Sequence, residues 1–311
     1  MAAAELDWAI PVFERAKDSI FFVVISPRNT MIGEIETLAG EVNTVEKDEQ
    51  PDRCRMTMMS TGFIVGTRGN RLLILTTAHS IDHVFKGSKP IGGNQANQLF
   101  QASILCDHYE LDYRAAGLAT SKDDSREYVP ADIIGINCRR DLLLIEVERS
   151  KIKGRSSNLM CDGIHPPLQI SRNLATAGEQ SMLLSWPFDK HRRVATGCVG
   201  VRRNVREVSR PNSIEYRMEI LEANITSESG SSGAPLLNKS SDVIGALHGG
   251  FGKSHSYFIP SDLIRDFLAP FVTTSDQRKT VEVGRKRKVK EIMGERKESG
   301  NQHKHRRLQL K

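Results

Sequence analysis

Residues 60–81 read STGFIVGTRGNRLLILTTAHSI. Two apolar, β-branched runs, STGFIVG (60–66) and RLLILTTA (71–78), flank TRGNR (67–71), whose Gly-Asn suits a hairpin turn. The second run ends on a histidine. Working outward, the same short runs bounded by turn residues recur as SIFFVVIS (19–26), ADIIGIN (131–137), DLLLIEVE (141–148), QSMLLSW (180–186), TGCVGVRR (196–203) and DVIGALHGG (242–250). This is the pattern of an all-β sandwich or barrel over residues 18–270. Helical signal is confined to the ends: DWAIPVFERAKD (7–18) predicts a short lead-in helix. SDLIRDFLAPF (261–271), with a Ser-Asp start and helical apolar spacing, predicts a closing one. Residues 33–57, acid-rich and broken by Gly and Pro, and 86–130, polar apart from the strand-like QASIL, read as inserted loops.

A chain of 311 residues has room for one large core or two smaller ones. With 39% hydrophobic and 26% charged residues its composition is that of a soluble globular protein. The longest apolar run, IFFVVI (20–25), is strand-sized, so no membrane span is expected. The N-terminus carries acids early, with no basic start before an apolar stretch, so no secretory leader is expected. The five cysteines (Cys54, Cys106, Cys138, Cys161, Cys198) include no Cys-x-x-Cys pair, which suggests neither a zinc site nor a disulfide framework and fits reduced thiols. Charge is unevenly divided: residues 278–311 hold 13 Lys/Arg against 4 Asp/Glu, a net +9, which leaves residues 1–277 at −3.

Peptide-bond hydrolysis needs a nucleophile, an adjacent base, a group that orients the base, and donors for an oxyanion. SESGSSGAPLLN (227–238) offers four serines, of which Ser232 sits between residues that let the backbone turn sharply and aim the Gly230 and Ser232 N–H groups together. A GxSxG elbow is absent, because Ala234 stands where its last glycine would be. Of nine histidines, His303 and His305 lie in the basic terminus and His108, His165 and His191 in polar loops, whereas His79 closes an apolar strand. Asp141 opens one. Singly each has an ordinary structural reading; together His79, Asp141 and Ser232 follow the chymotrypsin-type order.

The chain resembles the trypsin-like serine proteases, most closely the HtrA/Deg-type protease domain. The matching blocks are residues 60–81, the aspartate segment 131–148, LQISRNLATAGEQSMLLSWPFD (168–189), GSSGAPLLNKSSDVIGALHGG (230–250) and FIPSDLI (258–264). The resemblance implies two six-stranded Greek-key β-barrels, 18–150 carrying His79 and Asp141, and 151–274 carrying Ser232 and the closing helix. A disordered basic tail, 275–311, would follow. It implies Ser232 as nucleophile, His79 as base then acid, Asp141 as its orienter, and Gly230 and Ser232 N–H groups as the oxyanion hole, with no metal and no cofactor. Leu247, His248, Gly249 and Gly250 would line the cleft. Counting from Gly245 turns Leu247, with Phe258, toward a pocket for small or aliphatic side chains, and His248 to the other face. Departures are Ala234 for a usual glycine, Ser231 before the nucleophile, and a tail too short for a PDZ domain.

Protein or peptide substrates follow. RKRKVK, containing Arg285, Lys286, Arg287, Lys288 and Lys290, resembles a nuclear import signal, with an import receptor or nucleic acid as its expected partner. A nuclear or nucleocytoplasmic location is therefore expected; HKH (303–305) is not expected to hold a metal. The rival reading is a catalytically silent protease frame that binds nucleic acid or a partner through that tail. A third is a zymogen-like state with residues 228–231 collapsed. Oligomeric state is not legible.

Overall fold

The computed structural model describes residues 7–44, 50–115, 126–154, 160–188, 191–208, 211–251 and 254–272. The chain divides into two units, Met1–Ala269 and Pro270–Lys311, and the architecture below belongs to the first. The expected tail at 275–311, with its basic cluster, lies outside the described residues.

The elements in chain order are α1 (Ala9–Ala16), β1 (Ile20–Pro27), α2 (Ile32–Val42), α3 (Gln50–Arg53), β2 (Met58–Arg68), β3 (Arg71–Thr76), α4 (Gly93–Leu99), β4 (Phe100–Cys106), α5 (Asp107–Ala115), β5 (Val129–Asn137) and β6 (Leu142–Glu148). They continue as β7 (Gln180–Ser185), β8 (Arg193–Asn204), α6 (Val205–Val208), β9 (Glu219–Ala223), β10 (Pro235–Asn238), β11 (Val243–Phe251), β12 (His255–Pro260) and α7 (Ser261–Leu268). Two closed barrels result, ordered β1-β2-β3-β6-β5-β4 and β10-β11-β12-β9-β8-β7, each a Greek key with every pairing antiparallel. Closure leaves neither sheet an open edge.

The pattern that drives this is visible in β3 and β6. Leu72 and Ile74 face the first barrel's core with Leu143 and Ile145, while the alternate Leu73, Leu75, Leu142 and Leu144 are buried on the opposite face. Both faces are covered, so these strands read as continuous apolar runs rather than alternating ones. The second barrel's interior gathers Leu183, Val199, Leu221, Leu236, Ile244, Leu247 and Phe258. The β2–β3 hairpin closes on Gly69-Asn70, with Arg68 opposite Arg71 and Gly69 at φ 60°, the Gly-first form of a two-residue loop.

The described parts of the two segments expected to be loops contain helices and strands. Within 33–57, Ile35, Ala39 and Val42 recur at helical spacing and are buried on one side of α2, and Asn43 ends the helix in left-handed conformation (φ 50°), its N–H donating to Ala39 O at 2.9 Å. Within 86–130, α4 packs so closely on β5 that a Cβ at Gly93 would lie 2.8 Å from Ile134 backbone. Asn97 Oδ1 accepts the Ile133 N–H at 2.8 Å. FIPSDLI is split, its first half completing β12 and its second starting α7.

Candidate active site

β3 runs straight into a short 3-10 segment, Ala78–Val84, that carries His79. Opposite it, the turn from β5 to β6 puts Asp141 at φ 55°, a left-handed conformation that aspartate tolerates. The aspartate grips the histidine twice. The His79 backbone N–H donates to Asp141 Oδ1 at 2.6 Å, and His79 Nδ1 lies 2.7 Å from Oδ2. Asp141 is 0% exposed. Burial alone would raise its pKa, but the charges and hydrogen bonds of His79 and His248 outweigh that and hold it well below the usual carboxylate range. An ionised carboxylate only accepts, so the proton of His79 sits on Nδ1 and Nε2 keeps its lone pair. Burial works against charging His79, yet Asp141 and, less, Asp82 overcome it, so its pKa is raised.

Ser232 is half-buried at the start of the second barrel's loop into β10. Its carbonyl accepts the Thr61 N–H at 2.9 Å, and Thr61 Oγ1 donates to Gly230 O at 2.9 Å. A Cβ at Gly233 would lie 2.4 Å from Thr61 O and 2.5 Å from Thr76 Oγ1, and φ there is 83°. Glycine is therefore required, and the loop lies directly on β2 and β3, three residues before His79. Thus His79 and Asp141 are joined directly, while Ser232 is brought to the same seam by its neighbours. No hydrogen bond joins Ser232 Oγ to the His79 ring among the described residues.

The other serines have structural occupations. Ser231 is fully buried and its hydroxyl donates to Ser185 Oγ at 3.1 Å; Ser227 Oγ accepts from Ser256 Oγ at 3.0 Å; Ser229 is exposed. Gly230 sits at φ 87°, and among the described residues no acceptor takes the N–H of Gly230 or of Ser232, whereas Ser231 N–H is held by Glu228 O at 3.0 Å.

The structure departs from the expected pocket and adds a contact at His248. Leu247 and Phe258, expected to line a pocket, are 1% and 0% exposed and closed inside the second barrel's core. The β11–β12 register shifts between Leu247 and Gly249, a bulge that leaves His248 unpaired and re-aims its side chain. His248 Nδ1 lies 2.5 Å from Asp141 Oδ2, the same oxygen His79 uses, and the two imidazoles meet edge-on with centroids 5.8 Å apart. Tyr216 also meets His248 edge-on, with ring centroids 5.1 Å apart. The Gly249-Gly250 pair was the available signal, since glycine inside a strand often marks a bulge. Both glycines remain on β11, Gly249 opposite Tyr257 and Gly250 opposite Ser256.

The profile of the trypsin-like peptidase domain family matches residues 60–245, a span that includes His79, Asp141 and Ser232, and the chain belongs to that family. Its relatives include the serine protease HTRA1 of Xenopus tropicalis, 31% identical over 172 residues that make up 55% of this chain and 33% of that protein. The serine protease HTRA4 of Homo sapiens is 30% identical over 142 residues, 44% of this chain and 26% of that protein. The chain thus spans a third or less of the length of these curated relatives. Among solved structures, the active form of the Rv3671c protease from M. tuberculosis superposes with a TM-score of 0.52 over 86% of this chain and 87% of that one, at 13% identity, a likeness of fold. The chain thus carries a trypsin-like peptidase domain, similar in sequence to part of the HtrA serine proteases.

Proposed function

We propose that this chain is a serine endopeptidase in which Ser232, His79 and Asp141 form the triad. The observation that carries the reading is the double grip of Asp141 on His79, which fixes the tautomer with Nε2 free. His79 Nε2 takes the Ser232 Oγ proton as Oγ attacks the peptide carbonyl. The oxyanion is met by the Gly230 and Ser232 N–H groups, whose freedom supports an open rather than collapsed loop. The imidazolium, stabilised by Asp141, then protonates the leaving amine, and water returns the acyl-enzyme to serine by the same route. Serine–histidine hydrogen bonds are often long without substrate and tighten when it binds. An extended substrate would pair with β11 at Gly249 and Gly250, and His248 acts as a positioning residue on Asp141.

Hydrolysis of an unfolded protein substrate tests this. Ser232→Ala and His79→Ala should each lower kcat/KM by at least about a thousandfold with the fold intact. Undiminished hydrolysis by Ser232→Ala contradicts the reading.

For location, the proposal is nuclear import through Arg285, Lys286, Arg287, Lys288 and Lys290, supported by the dense basic run alone. Deleting 278–311 should abolish nuclear accumulation of a fluorescent fusion; unchanged accumulation removes the idea.

A further inference from the structure

Where β4 ends, four residues from two segments distant in sequence converge. Cys106 ends β4, His108 stands in the first turn of α5, and Cys161 and His165 lie on the connection between the barrels. One ligand atom from each falls within 4.8 Å of all the others. We propose that Cys106, His108, Cys161 and His165 hold one zinc ion in a closed, structural site.

The distances are those of a coordination sphere. Cys106 Sγ and Cys161 Sγ are 3.8 Å apart, and Cys161 Sγ is 3.6 Å from His108 Nδ1. A tetrahedral zinc with Zn–S of about 2.3 Å and Zn–N of about 2.0–2.1 Å sets such edges at about 3.8 and 3.6 Å. A disulfide would need the sulfurs at about 2.05 Å. His165 is 4% exposed; its Nδ1–H donates to Asp18 O at 2.8 Å, while its Nε2 is buried with no partner among the described residues. A neutral imidazole donating through one nitrogen presents a lone pair on the other, the form a metal takes. His108 repeats the arrangement: Nδ1 faces the cysteines and Nε2 lies 3.5 Å from the Asp18 carboxylate. Asp18 thus backs both imidazoles, as outer-shell groups do in zinc sites.

The surroundings are built around the rings. A Cβ at Gly163 would fall 2.4 Å from His108 Cε1, so glycine lets the connection pass with the ring where it stands. Cys161 N–H donates to Ile152 O at 2.7 Å, and Ser19 Oγ donates to Pro166 O at 2.6 Å, pinning both ends of the ligand loop. Two thiolates and two imidazoles suit zinc, and four protein ligands leave no open position for catalysis. The ion would tie the inter-barrel connection and the Asp18 segment to the first barrel. No Cys-x-x-Cys announces it, because the cysteines are 55 positions apart and meet only when the barrel closes.

The test uses the untagged full chain carrying Ser232→Ala, so neither self-cleavage nor the catalytic reading affects it. Metal analysis after dialysis should find about one zinc per chain. X-ray absorption should give a first shell of two sulfurs at about 2.3 Å and two nitrogens at about 2.0–2.1 Å. Cys106→Ser and Cys161→Ser should lose the zinc, and Cys54→Ser should retain it. If the ligand variants do not fold, the absorption spectrum of the parent decides. A protein without metal after reconstitution, iron or copper in place of zinc, or a shell of nitrogen and oxygen alone, as His303 and His305 would give, overturns the proposal.

Discussion

Asp141 serves two imidazoles through one oxygen, and this has consequences that can be measured at single residues. Because Asp141 favours the charged form of His79, that histidine titrates above its ordinary value of about 6.5. Only its neutral form accepts the serine proton, so kcat/KM should rise with pH through an apparent pKa above the ordinary one and then level off. A profile already flat at pH 6 contradicts this. Asp141→Asn should keep the fold and lower kcat by about ten thousandfold, since the wrong tautomer is then held. His248 withdraws charge from the oxygen that supports His79. His248→Ala should therefore shift the acid limb of kcat/KM to higher pH, whereas a merely packing residue would leave the limb in place.

Among elements, the nucleophile loop and α2 make opposite demands on glycine. Gly233 combines φ 83° with a Cβ position 2.4 Å from Thr61 O, so Gly233→Ala should destabilise by about 2 kcal/mol or more in urea unfolding. Gly33, in the first turn of α2, has nothing within 4 Å of its Cβ position. Gly33→Ala should be neutral or stabilising by up to about 1 kcal/mol, and a loss would place that Cβ against something unseen. The β2–β3 hairpin was legible because its Gly-Asn turn and both apolar runs are local. The α2 helix was hidden by acids, glycines and a nearby proline, though Ile35, Ala39 and Val42 carried its period. At β11 the register runs unbroken from Gly245 to Leu247 and shifts only at His248, so counting kept Leu247 and His248 on opposite faces but could show neither the closed core around Leu247 nor the Asp141 that His248 meets.

Across the whole molecule, barrel closure joins residues that linear order separates. His79, Asp141 and Ser232 could be picked out because each borders a strand or tight turn and their order is distinctive. The Asp141–His248 contact, and the cysteines and histidines gathered beside Asp18, could not, since local pattern records no tertiary approach. The seam itself rests on contacts such as Thr61 with Ser232 and Gly230, which bind one barrel's nucleophile loop to the other's strands. The most direct test of a serine nucleophile at that seam is labelling of the full chain with a fluorophosphonate, read by intact mass and by peptide mapping. A single adduct on Ser232, absent in Ser232→Ala and His79→Ala, is the result expected. An adduct on another serine, or equal labelling of Ser232→Ala, would contradict it.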